Sequence, residues 1–155
     1  MDRIFAGTDV GRKNIAFGTG LFLILGVVVG IPLTIDFLGG SVLTSGQYQT
    51  WKVVHAYGVF LSFINFFFGL CIDRLNLTRG QKEISSWSFL LAGLIGGVVR
   101  MLLALFSALG EFGVYASLCE TVLFVLGTFI LVRGQMKEQP DRSEQSAGPR
   151  YLQAR

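Results

Sequence analysis

The sequence predicts an all-α integral membrane protein, an up-down bundle of four helices with both termini cytoplasmic. Three observations lead there. Hydrophobic residues make up 52% of the 155-residue chain and charged residues only 15%, with a mean hydropathy of +0.59; that balance is too apolar for a soluble domain. The hydrophobic residues gather into four runs at 15–38, 53–72, 87–109 and 114–132, each near the ~20 residues that carry a helix across ~30 Å of hydrocarbon. Eleven of the thirteen basic residues fall on one side of a four-span topology, and that side is cytoplasmic by the positive-inside rule. Backbone groups in lipid must be paired within their own segment, so helices are the natural reading, and the runs lack the alternation of a β-barrel.

Taken in order, residues 1–14 form a polar cytoplasmic lead with Arg3, Arg12 and Lys13. The first run exceeds the apolar stretch of a signal peptide and is followed by no A-x-A-like site, so it reads as a retained span, with a kink expected at Pro32. An uncharged Gly/Ser/Thr-rich loop at 39–50 leads to span two, with Lys52 the one basic residue on that far side. The next loop carries Arg74, Arg79 and Lys82. A short turn around Gly110–Gly113 makes spans three and four antiparallel neighbours. Residues 15–133 thus form the membrane domain, and the polar, proline-containing stretch 134–155 reads as a disordered cytoplasmic tail. Tyr48, Trp51 and Tyr115 at the outer boundary and Trp87 at the inner one suit an aromatic belt. Cys71 and Cys119 differ in depth by about 20 Å, too far for a disulfide, and read as small buried apolar side chains. The +3 net charge reflects topology and gives no sign of a nucleic-acid partner. Walker, Rossmann, HExxH and GxSxG patterns are missing.

Ionisable residues inside spans are expensive, so each is a candidate functional residue. They are His55, the chain's single histidine, with Arg100 and Glu120; Asp36 at the end of span one is a fourth that could simply face the interface. From the helical rise their depths below the outer boundary are about 6, 13 and 10 Å. Arg100 and Glu120, on adjacent antiparallel helices, therefore fit an ion pair. The pair either holds two helices in register, binds an anionic group, or lines a substrate cavity. Small residues share its faces: Gly93, Gly96, Gly97, Ala104 and Ser107 on span three, Gly113, Ala116 and Ser117 on span four. Beside His55, Gly58 and Ser62 leave room next to the imidazole. One histidine excludes a bis-histidine haem within one chain and disfavours zinc or copper, which take several N/S ligands. An interfacial hydrogen-bonding role and a single axial ligation of a five-coordinate haem stay open.

A Gly-Gly turn closing span one (DFLGG, Asp36–Gly40), then Trp51-x-x-x-His55 opening span two, resembles the styrene oxide isomerase family of small bacterial membrane proteins. The resemblance runs from about 17 to 137 in span order and loop length. It implies haem b with His55 as axial iron ligand, bound near subunit interfaces of a homotrimer in the bacterial inner membrane. Trp51, Gly58 and Ser62 would neighbour the cofactor, and Lys52 would meet a propionate. The implied chemistry is Lewis-acid opening of a small hydrophobic epoxide to a carbonyl compound. Three positions depart from the family pattern: Leu61 stands where it has Asn, Ala92 where it has Asp, and Arg100 where it has Tyr. The ligand position is kept while the polar lining of the substrate side is not, which points to a haem-binding relative that need not be an isomerase. Arg100 and Glu120 are the candidate catalytic pair if it is one. The alternatives are a non-catalytic haem protein for electron transfer or sensing, and a structural or transport bundle without haem.

Overall fold

A computed structural model describes residues 9–106 and 109–135; the lead's Arg3, Ser107 and the tail beyond 135 lie outside the described residues. All regular structure within them is helical. Four rods are long and apolar enough to cross a membrane, giving a multi-pass membrane protein: α1 (Val10–Phe37), α2 (Ser45–Arg74), α3 (Arg79–Leu105) and α4 (Leu109–Gln135). The regular helix of α1 starts at Asp9, so Lys13 and Asn14 lie within it.

α1 packs chiefly on α2, and α3 on α4. The first seam is set by small residues. A Cβ at Gly11 would lie 2.3 Å from the Gly69 carbonyl oxygen, and one at Gly18 would lie 2.6 Å from that of Ser62. Seven residues further on, Leu25 is fully buried and its side chain fills the space over Gly58. A repeat of seven brings one face of a helix back to its partner, as in a left-handed crossing. Leu25 joins Leu21, Val29, Val54 and Leu61 in the apolar core at this end of the bundle, with Trp51 packed on its edge. At the opposite end Val10, Phe68, Ile72 and Phe89 form a second cluster.

Between the clusters runs a buried polar tie. Asn14 Nδ2 donates to Asn65 Oδ1 at 3.2 Å and to the Ser86 carbonyl at 3.3 Å. Ser86 Oγ donates back to Asn14 Oδ1, and Asn65 Nδ2 donates to the carbonyls of Leu61 and Phe89, each at 3.1 Å. Polar amides hold α1, α2 and α3 together where apolar packing alone gives lipid-embedded helices little preference for one another.

Two helices are not regular. α1 is π-helical over Phe22–Val28 and α3 over Leu94–Val99. In α1 a turn at Val29 separates the π-segment from the α-helical piece Gly30–Phe37. Pro32 sits in the first turn of that piece, where its missing N–H costs least. The chain accommodates the proline by a change of helical register just before it.

The loop after α1 turns at Gly39, whose φ of 92° suits glycine. Asp36 is a loop staple: its carboxylate accepts from Val42 N at 2.7 Å and from Leu43 N at 3.2 Å. Thr44 and Gln47 then form a capping box that starts α2, and Thr78 and Gln81 another that starts α3. Cys71 and Cys119 correct the sequence reading, being exposed and free on the outside of the bundle. A lipid-facing surface is as apolar as the interior, so hydrophobicity does not distinguish the two faces of a span.

Candidate functional site

The polar residues of the first-loop half divide between the two sides of α2. His55 and Tyr57 are two residues apart, about 200° around a helix, with buried Val54 and Gly58 between them on the inward face. His55 therefore meets α1, and Tyr57 meets α3 and α4.

On the α1 side, His55 is half-buried. Its Nδ1 lies 2.9 Å from the Leu25 carbonyl oxygen. Gly30 presses on the ring from the next turn of α1, where a Cβ would stand 3.0 Å from Cε1. The imidazole lines an open cleft of about 600 Å³ with Gly26, Gly30, Thr34, Tyr48 and Lys52. Apolar Val27, Ile31 and Phe37 form much of its remaining wall. Lys52 is exposed one turn before the histidine. Trp51 turns inward onto the core cluster and does not line this cleft. Gly58 and Ser62 are also committed elsewhere. Leu25 occupies the space over Gly58, and the buried Ser62 hydroxyl donates to the Val59 carbonyl at 2.6 Å. The room beside the imidazole comes instead from Gly30 on the opposite helix.

On the other side, Arg100 and Glu120 form the expected ion pair, Nη2 to Oε2 at 3.2 Å, with side-chain exposures of 17% and 3%. The same Nη2 donates to Ser117 Oγ at 2.7 Å. Tyr57 OH donates to the other carboxylate oxygen, and the guanidinium lies 4.8 Å from the Tyr57 ring centroid. Gly96 makes the cluster sterically feasible, since a Cβ there would come within 2.5 Å of the Glu120 carboxyl. At 3.2 Å and an effective dielectric constant of ~20 the gross attraction is about 5 kcal/mol. That attraction offsets desolvation of two charges that neither helix could hold alone. Arg100 also edges a second open cleft, of about 520 Å³, between α2 and α4.

The structure therefore joins Arg100 to Glu120 but places neither in the His55 cleft. Leu61 and Ala92, the two other departures from the family pattern, are both fully buried. Sequence reasoning missed Tyr57, although it sits inside the stretch that drew attention to His55 and its hydroxyl needed a partner in a span. It also missed Asn14 and Asn65, which carry no charge but are as costly in lipid when unpaired. The Leu25 carbonyl had no sequence signal at all.

No cluster of three or more His, Cys, Asp or Glu side chains able to hold a metal occurs among the described residues. The donor set on the α1 side is one imidazole, which suits a group that brings most of its own ligands.

Neither the characterised proteins nor the solved structures searched include a match to the chain. The profile of the styrene oxide isomerase family matches residues 11–133, which takes in all four helices and both sides of α2. By that match the chain belongs to the styrene oxide isomerase family.

Proposed function

We propose that this family member binds haem b through His55 in the cleft between α1 and α2. The observation that supports the reading best is the setting of the chain's one histidine. Its Nδ1 is taken by a backbone carbonyl and the ring lines a cleft open along the side of the bundle. A ligating histidine nearly always gives its other nitrogen to such a partner. In this reading Nε2 of His55 binds the iron and Lys52, exposed at the cleft, answers a propionate. Gly30 keeps a side chain out of the ring's way, while Val27, Ile31 and Phe37 exclude water. The open outer side of the cleft is covered by a second copy of the chain, a trimer by family analogy, or by lipid. In this reading the protein resides in the bacterial cytoplasmic membrane, by family analogy, and the gathering of basic residues on one side of the topology supports cytoplasmic termini.

When bound, ferric haem supplies a Lewis acid for an epoxide oxygen, and the substrate class is a small hydrophobic epoxide opened to a carbonyl compound. Arg100 and Glu120 are assigned to holding α2, α3 and α4 together. A second reading, haem binding without isomerisation, is favoured by Leu61 and Ala92, which put apolar core where the family pattern has polar groups.

The test is a spectrum and a turnover assay. Detergent-solubilised protein is expected to show a Soret band that His55→Ala abolishes; a missing or unaffected band refutes haem ligation by His55. Aldehyde formed from an aryl epoxide by the ferric protein supports the isomerase, and its absence in haem-loaded protein supports the second reading.

A further inference from the structure

We propose that the Leu25 carbonyl, in the π-helical turn of α1, holds His55 as the Nδ1–H tautomer, making Nε2 the nitrogen that receives a ligand. Leu25 is thus a positioning residue that acts through its backbone. In an α-helix the Val29 amide would donate to Leu25 O. In α1 it donates one residue further back, to Ile24 O at 3.1 Å. The Val29 amide therefore does not compete with the imidazole for Leu25 O. His55 Nδ1 reaches it at 2.9 Å. A carbonyl oxygen only accepts, so Nδ1 carries the proton and neutral His55 has its lone pair on Nε2.

The contact is clamped on both sides. The Leu25 side chain is wedged onto Gly58, one turn after His55 on α2, where a Cβ would lie 2.4 Å from Leu25 Cδ1. Gly30 bounds the ring on the next turn, where a Cβ would stand 3.0 Å from Cε1 and 3.4 Å from Nδ1. Leucine over Gly58, carbonyl on Nδ1 and glycine against Cε1 fix the ring's depth, tilt and tautomer together. π-turns inside α-helices recur at functional sites, and this one supplies a hydrogen-bond acceptor. An Nδ1–H···O=C bond fixes the tautomer and the direction in which Nε2 points. That Nε2 binds iron rests on the haem reading; the tautomer does not.

Because the chain has a single histidine, 15N-histidine labelling of the full chain in lipid nanodiscs gives imidazole signals from His55 alone. Spectra are taken of haem-free protein and of the ferrous carbonmonoxy form, which is diamagnetic. The expected result is a protonated Nδ1, with Nε2 bare in the first and iron-bound in the second. Gly30→Ala is expected to diminish or shift the Nδ1–H signal and to lower the iron–histidine stretching frequency of the ferrous, CO-free protein. An Nε2–H tautomer in the unaltered chain, or a Gly30→Ala variant identical in both readouts, overturns the proposal. The unaltered chain decides by itself if Gly30→Ala does not fold. An Nδ1–H signal without any Soret band keeps the carbonyl clamp and removes the haem reading; a His55-dependent Soret band with iron on Nδ1 does the reverse.

Discussion

Replacing Glu120 by Gln removes one charge while keeping the side chain's shape and its acceptor for Tyr57. The Arg100 guanidinium, only 17% exposed, is then left without a counter-charge, a loss of about 3 kcal/mol on the scale for breaking buried pairs. Arg100→Met leaves the 3%-exposed carboxylate alone and is expected to cost a similar ~3 kcal/mol. The double variant removes both charges and restores neutrality, so it should be no less stable than the worse single variant. The resulting coupling is about 3 kcal/mol, well above the ~0.5 kcal/mol within which independent sites add. Unfolding in mixed detergent micelles at rising sodium dodecyl sulfate fraction measures all four states of the cycle. Tyr57→Phe is the control. It removes one hydrogen bond, worth about 1 kcal/mol, and keeps the ring under Arg100, so the coupling should survive it. Additive losses, with coupling below ~0.5 kcal/mol, would show that the 3.2 Å contact does not hold these helices together.

Other expected outcomes follow from single contacts. Gly96→Ala places a Cβ 2.5 Å from the Glu120 carboxyl and should cost about 1–3 kcal/mol, largely relieved in an Arg100→Met, Glu120→Ala background. Gly11→Ala drives a methyl to within 2.3 Å of the Gly69 carbonyl. Backbone cannot move aside as a side chain can, so the loss should reach about 3 kcal/mol and show as early detergent unfolding. Asn65→Leu removes one hydrogen-bond partner from Asn14, which keeps Ser86, and one from each of two carbonyls; about 1–2 kcal/mol of destabilisation is expected by the same titration. Replacing both Cys71 and Cys119 by Ala should change stability by less than about 0.5 kcal/mol, because both lie on the outer surface.

How far the sequence reached depended on the kind of physics involved. The four spans were legible because length and apolarity are set by the bilayer. The Arg100–Glu120 pair was legible because two charges at one depth on neighbouring helices have little choice of partner. Helical phase was harder. Depth puts His55 in the same half of the bilayer as Arg100 and Glu120 but does not say which helix it faces, and the turn of α2 puts it on the α1 side. Gly58 and Ser62 looked like empty space because sequence shows small side chains but not what fills the gap above them, here Leu25 and a Ser62–Val59 hydrogen bond. By sequence Asn14 reads as part of a polar lead, yet the helix extends back to Asp9 and buries it completely. The π-turns were invisible, since no residue type encodes a shift from i−4 to i−5 bonding.

Leu25 carries a last consequence. Its side chain is gripped by glycines on two other helices, Gly58 of α2 and Gly97 of α3, while its backbone oxygen meets the histidine. A methyl added at Gly97, on a helix that never touches His55 through this contact, would still be felt at the imidazole as a lengthened or bent hydrogen bond. The histidine therefore works as a strain gauge for the bundle. Its ring signals should drift with every substitution that loosens the α1–α2–α3 junction, before any loss of fold is measurable.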